Sequence, residues 1–224
     1  EALFAPVLAL IHGPPGTGKT RTLIEVIRQS VARQESVLAT AASNQAVDNL
    51  AERLIAHGVN VVRIGHPARM SSGAVDHSLD ALLEQDEFYA LAKKWMDEAN
   101  DTRRRIQTRY ERGSIGRRER REQLSEVWSL MNDARAQIKR AQISILSRAE
   151  VICATASGSA SSILGKRRFD LVVLDEATQA TDPIALVPLT RARRVVMAGD
   201  PFQLPPTVIS PRAEREGLGQ TFFE

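Results

Sequence analysis

The sequence predicts an α/β fold: a parallel sheet with helices on both faces, interrupted by one inserted antiparallel helical hairpin. Three observations predict it. Short continuous apolar runs recur in both the first and last thirds of the 224-residue chain, as parallel strands covered on both faces require. Helix-period segments separate those runs, the pattern of a doubly wound sheet. Residues 78–150 carry no strand signal, only helical stripes.

Residues 7–11, Val-Leu-Ala-Leu-Ile, read as a first buried strand. Residues 20–31 repeat Leu23, Ile24, Ile27 and Val31 at helical spacing. Further strands are expected at 37–40, 61–64, 151–155, 171–174 and 195–198. Ser43 or Asn44 can cap a helix running to about His57. In the inserted region Leu124, Val127, Met131, Ala134, Ile138, Ala141 and Ile145 alternate spacings of three and four, a heptad seam. Upstream, Phe88, Leu91, Trp95, Ala99, Thr102, Ile106 and Tyr110 form a looser stripe, and Gly113-Ser114-Ile115-Gly116 divides the two. The expected division is therefore 1–77 with 151–224 as one α/β domain and 78–150 as a hairpin subdomain, its aromatic and Met positions serving as core.

Between the first strand and helix lie Gly13, Pro14, Pro15, Gly16, Thr17, Gly18, Lys19 and Thr20, which fit G-x-x-x-x-G-K-[ST] without mismatch. The glycines let backbone amides crowd round a triphosphate. Lys19 reaches its outer phosphates, and the Thr20 hydroxyl reaches Mg²⁺. The helix that follows points its positive end at the phosphates. These eight residues and the adjacent Arg21 are the expected nucleotide-binding set. A ligand-free Gly/Pro turn has the same composition, but not the strand and helix on either side. The run 169–174 then ends in Asp175-Glu176. A carboxylate at a strand end can hold the Mg²⁺ that Thr20 touches, and its neighbour can take a proton from water. An N-cap for the next helix is the alternative reading of that pair. No N-K-x-D guanine reader and no L-S-G-G-Q stretch is present, so adenine is expected.

Bulk properties set outer limits. A net charge of +3 is compatible with a polyanionic partner without indicating one. The single cysteine, Cys153, excludes an internal disulfide and fits a reducing compartment. Lying in Val-Ile-Cys-Ala, it reads as a structural thiol. No apolar run is long enough to span a bilayer and no signal sequence opens the chain, so no membrane association and an intracellular location are expected. An opening at Glu1 without methionine, and an end at Thr221-Phe222-Phe223-Glu224 within a helix-forming stretch, predict a piece of a longer protein. Around the hairpin turn, nine arginines (103–105, 109, 112, 117, 118, 120, 121) face only Asp101, Glu111 and Glu119. Both a solvated helix face and a phosphate-gripping tip fit that imbalance.

The glycine loop, Ala41-Ala42-Ser43-Asn44-Gln45-Ala46-Val47-Asp48-Asn49-Leu50, Asp175-Glu176-Ala177-Thr178-Gln179-Ala180 and Ala198-Gly199-Asp200-Pro201-Phe202-Gln203-Leu204-Pro205-Pro206 together resemble motifs I, Ia, II and III of superfamily 1 helicases. The wording is similar to the branch holding the nonsense-mediated-decay RNA helicase and the immunoglobulin mu switch-region binding helicase. The stretch 62–69 followed by 77–80 is most similar to the latter. The resemblance implies a RecA-like first motor domain that binds ATP and Mg²⁺, with Thr20 and Asp175 on the metal. Glu176 would activate water, with Lys19 and Gln203 as the other catalytic groups, Gln203 sensing the γ-phosphate. Ser43, Asn44 and the Thr155 region would meet single-stranded DNA or RNA, and the hairpin would lie over it. A second RecA-like domain, carrying the arginines that complete the ATP site, would be the partner missing from this chain. Two departures stand out. Ala42 replaces the family's Pro before Ser-Asn, and the upstream segment with the adenine-reading glutamine is absent. A non-motor ATPase switch acting on a protein, and a passive nucleic-acid-binding module, remain as alternatives.

Overall fold

The computed structural model describes residues 2–223. Six strands, β1 (Leu8–His12), β2 (Val37–Ala41), β3 (Val61–Ile64), β4 (Val151–Thr155), β5 (Phe169–Asp175) and β6 (Ala192–Gly199), form one sheet in the order β1-β6-β5-β2-β4-β3. Every pairing is parallel. The backbone divides into two compact units, one made of the residues up to Leu79 and from Arg148 on, the other of Asp80–Ser147.

In the first unit the sheet's two faces carry different cores. Val37, Ala39, Val151, Cys153, Leu171, Val173, Val196 and Ala198 share one face with α1 (Lys19–Ala32) and α2 (Asn44–Ala56). Leu23, Ile24 and Ile27 of α1, and Val47, Leu50, Ala51 and Leu54 of α2, are buried there at helical spacing; Val31 is only partly buried. Ser43 rather than Asn44 caps α2, its hydroxyl accepting from Ala46 N at 3.2 Å. The alternate residues Leu174, Val195 and Met197 face the other way, with Ala185 from α7 (Asp182–Leu189).

β1 departs from the buried strand expected. Leu8 and Leu10 are each 48% exposed, while Ala9 and Ile11 pack on the α1 side. Position explains this. β1 is an edge strand in register with Val195 and Met197 of β6, and α7, the helix of that face, packs against β5 and β6. The chain's end also differs from the helix expected. After α8 (Pro211–Ala213) a wide turn over Glu214–Leu218 stops at Gly217, whose φ is 98°. Thr221 is irregular and Phe222 and Phe223 form a turn; Glu224 lies outside the described residues.

The short helices α3 (Ser72–Val75) and α4 (Leu79–Glu84) lead to the second unit, whose main body is α5 (Glu87–Glu111) and α6 (Arg117–Arg148). Ala99, Ile106, Ile115, Val127 and Met131 form its core, with Met96, Tyr110, Leu124 and Leu130 packed against them. On α6 the seam lies where the heptads place it, although Ile138 is only partly buried. On α5 the buried residues are Ala92, Ala99 and Ile106, seven residues apart; the expected stripe holds from Ala99 through Ile106 to Tyr110 and fails at its start, Phe88 and Leu91. Those two are 70% and 44% exposed, because the α5 face packed with α6 runs through Met96, Ala99 and Ile106. Gly113, at φ 69°, supplies the left-handed residue that ends α5.

Candidate functional site

All the motif residues lie at one edge of the sheet, because parallel strands bring every carboxyl end to the same side. β1 leads into the glycine loop, β2 into Ser43 and Asn44, β4 ends at Thr155, β5 at Asp175, and β6 runs into Asp200. The strand order sorts these into two groups. β1, β6 and β5 carry the glycine loop, Asp200 with Gln203, and Asp175 with Glu176; β2 and β4 carry Ser43, Asn44 and Thr155. Ala41 is in register with both Asp175 and Thr155, so the groups meet at β2.

The glycine loop forms an open cradle. Gly16 and Gly18 adopt φ of 78° and 91°, where an L side chain is strained, and no heavy atom lies within 4 Å of where a Cβ would stand. Lys19 Nζ donates across the loop to the carbonyls of Gly13 (2.6 Å) and Pro14 (3.3 Å). Thr17 Oγ1 donates to Pro14 O at 2.7 Å. The Thr20 hydroxyl donates to Asp175 Oδ2 at 3.0 Å, joining residues 155 apart in sequence. Pro15, Thr17 and Arg21 are exposed.

Asp175 is buried, and its Oδ1 accepts from Glu176 N at 3.0 Å. Burial pushes its carboxyl up, against the pull of that amide, Thr20 and Lys19. Burial and the neighbouring Asp175 charge also push the Glu176 carboxyl up. Glu176 has φ 50°, a left-handed conformation that costs a non-glycine residue about 1–3 kcal/mol and concentrates at functional sites. Its Oε2 is buried without a hydrogen-bond partner, and it makes no capping bond to the following turn. A strained, raised-pKa carboxylate with one idle oxygen is well prepared to accept a proton from water.

The third segment is tied to the second. Gly199 packs so closely that an added Cβ would meet Thr178 Cγ2 at 3.0 Å, and Asp200 N donates to Thr178 Oγ1 at 3.5 Å. Asp200 accepts from Phe202 N (3.1 Å) and Gln203 Nε2 (2.9 Å). Burial alone would raise its carboxyl; these donors and His12 hold it below the ordinary range.

On the β2–β4 side, Thr155 Oγ1 accepts from Gly158 N at 3.0 Å and lies 3.4 Å from the Ser157 hydroxyl. The Asn44 carbonyl oxygen accepts from Arg63 Nη2 at 2.9 Å. Arg63, fully buried in β3, also donates from Nε to Asp48 Oδ1 at 2.8 Å and from Nη1 to the Ile64 carbonyl. Asp48 Oδ2 accepts from Ser71 N at 2.8 Å. Sequence reasoning missed this cluster, and also His12, whose Nε2 stands 3.4 Å from Asp200 Oδ1. The available signal for the first was an arginine inside an otherwise apolar strand. For the second it was a titratable residue directly before the glycine loop. Cys153 lies wholly inside, where burial pushes its thiol up to about 12, so it is inert.

A family model described as AAA domain matches residues 1–211. The chain belongs to the AAA domain family. This AAA domain is 40% identical over 205 residues to DNA polymerase alpha-associated DNA helicase A of Schizosaccharomyces pombe, covering 92% of the chain and 30% of the relative. It is 37% identical over 230 residues to DNA-binding protein SMUBP-2 of Mus musculus, covering all of the chain and 22% of the relative. With the Regulator of nonsense transcripts 1 homolog of Arabidopsis thaliana it shares 34% over 226 residues, all of the chain and 17% of the relative. These relatives place the AAA domain among superfamily 1 helicase motor domains of the branch the motifs resemble. It spans under a third of the length of each of the three. No helix among its described residues is long and apolar enough to cross a membrane.

Proposed function

We propose that this AAA domain binds ATP with Mg²⁺ and single-stranded DNA or RNA, and serves as the first motor half of an ATP-driven helicase or translocase. The observation that carries the reading is the meeting of Thr20 and Asp175 at 3.0 Å beside a Glu176 oxygen that is buried and unpaired. A hydroxyl and a carboxylate are oxygen ligands suited to Mg²⁺. Among the described residues no group of three His, Cys, Asp or Glu side chains could hold a metal alone, so the remaining ligands would be phosphate oxygens and water. When bound, the ion would offset phosphate charge.

The chain's own groups divide the remaining work. The backbone N–H groups of Gly13 and of residues 16–20 surround the phosphates, since Pro14 and Pro15 have none to donate, and Lys19 exchanges its two carbonyl acceptors for phosphate oxygens. Glu176 orients the attacking water and takes its proton. Gln203 reads the γ-phosphate. Ser43, Asn44 and Thr155 contact the strand's backbone with hydroxyl and amide groups, which are sequence-neutral phosphate ligands. A second RecA-like domain, elsewhere in the full-length protein, supplies the cations that complete the site. This division also assigns residues 78–150 to a separate hairpin subdomain.

Turnover of the full-length protein with and without single strands tests the proposal. Strong stimulation is expected, and Lys19→Ala should abolish turnover while leaving strand binding in place. Equal rates with and without strands would leave the non-motor switch as the better reading.

A further inference from the structure

His12 is the last residue of β1 and immediately precedes Gly13, whose carbonyl holds Lys19 Nζ. In register it faces Gly199 of β6, which puts its ring next to Asp200. Nε2 lies 3.4 Å from Asp200 Oδ1. The Phe202 and Phe223 rings stand 6.2 and 6.5 Å from the imidazole, which is itself half exposed. Asp200 in turn is buried, and its other oxygen accepts from Gln203 Nε2.

We propose that His12 is a positioning residue that couples the glycine loop to Gln203 through Asp200. The proposal rests on the reading of Gln203 as the γ-phosphate sensor and adds the element that aims it. A buried carboxylate is stable only when its lone pairs are taken, and Asp200 has two oxygens to share among Phe202 N, His12 and Gln203. With His12 and Phe202 N on Oδ1, Oδ2 is left for the Gln203 amide. Nε2 of Gln203 is thereby fixed as the inward atom, and its second N–H and its carbonyl oxygen face outward. Without His12, Oδ1 keeps only the Phe202 amide, the Asp200 carboxylate is held by one contact fewer, and the Gln203 amide loses its single orientation. Because His12 and Gly13 share a peptide bond, a shift of the loop when Lys19 leaves the Gly13 carbonyl reaches Asp200 in one step.

The test compares His12→Leu, His12→Gln, Asp200→Asn and the His12→Leu/Asp200→Asn pair in the full-length protein. Loss of one hydrogen bond to a charged acceptor that matters only in the reacting state lowers kcat about ten-fold and leaves KM for ATP within about two-fold. His12→Gln, which retains an N–H donor at similar reach, should recover most of that loss. The double variant should be no slower than Asp200→Asn, since both break one connection. A His12→Leu protein with normal kcat, a loss expressed in KM, a Gln variant no better than Leu, or additive losses would each overturn the proposal. A second readout needs no turnover: the ¹⁵N resonances of the His12 ring, recorded without nucleotide, should move in Asp200→Asn. An unmoved signal overturns the coupling even if Leu at position 12 prevents folding. Failure of the wider reading looks different, as turnover that survives Lys19→Ala.

Discussion

Asp175 shows how a carboxylate buried at a strand end makes the ligand-free molecule less stable. Its carboxylate is desolvated at the end of β5 with one hydroxyl and one amide as hydrogen-bond partners, and burial raises its pKa above the unfolded value. The folded chain therefore holds more protons than the unfolded one between the ordinary carboxylate range and the raised value. Stability is full below that window and falls as pH rises through it. Asp175→Asn removes the charge; its Oδ1 still accepts from Glu176 N, and its Nδ2 donates to Thr20 Oγ1, reversing that bond. Denaturant melts of the ligand-free protein should show it more stable than the parent near neutral pH, with the difference gone at about pH 3. A variant equally stable, or less stable, at neutral pH would mean the carboxylate is well solvated. Arg63 makes the opposite case. Its guanidinium is enclosed and its main partner, Asp48, is buried too. Arg63→Leu strands that carboxylate and should cost about 3–5 kcal/mol, whereas removing both charges together costs less. Arg63→Lys keeps a charge but lacks the second arm that holds Asn44, so it should fold better than Leu and still loosen strand binding.

At the level of elements, the hairpin is where the charge imbalance can be resolved. Arg109 pairs with Glu119 and Arg118 with Glu122. Arg120 donates to Gln107 Oε1 and lies over the Tyr110 ring, joining α6 to α5. Those arginines have structural employment. Arg103, Arg105, Arg117 and Arg121 have no ion pair among the described residues, and Trp128, which shares cavities with Arg103, Arg117 and Arg121, is 45% exposed. Neutralising these four should lower the salt slope of single-strand binding by about 3 if each meets a phosphate, and leave the melting temperature unchanged. An unchanged slope would make the arginines a solvated face. The same element shows what a sequence can encode about itself. The α6 seam was readable because a heptad is a local pattern, and Leu8 and Leu10 were misread because an apolar run does not say which strand becomes an edge. On α5 the small Ala92 and Ala99, not the large Phe88 and Leu91, face the partner, and hydrophobicity alone ranks those pairs the wrong way. The glycine loop, Asp175-Glu176 and Gln203 were legible since each motif is contiguous and its chemistry is local. Asn44 with Arg63, and His12 with Asp200, were not, because those contacts exist only once strands distant in sequence become neighbours.

For the whole molecule, the arrangement of site groups along the sheet edge leads to a prediction about the chain in isolation. The residues proposed as phosphate ligands, water-activating carboxylate and γ-phosphate sensor are carried by β1, β5 and β6. Lys19 is the cation of that cluster, and it is drawn toward the loop's own carbonyls. Charge developing on a transferring phosphoryl group is met in such enzymes by further cations, and a supplied arginine is worth about 10³–10⁵ in rate. The relatives are more than three times as long as this chain, which leaves ample room for a domain carrying such groups. The 224-residue chain alone should therefore bind a nucleotide weakly and hydrolyse it at least about 10³-fold more slowly than the full-length protein with single strands. Single-turnover measurements on both would decide it. Comparable rates would show that the cations needed at the transition state come from this chain, with Arg21, exposed on the first turn of α1, as the first residue to test.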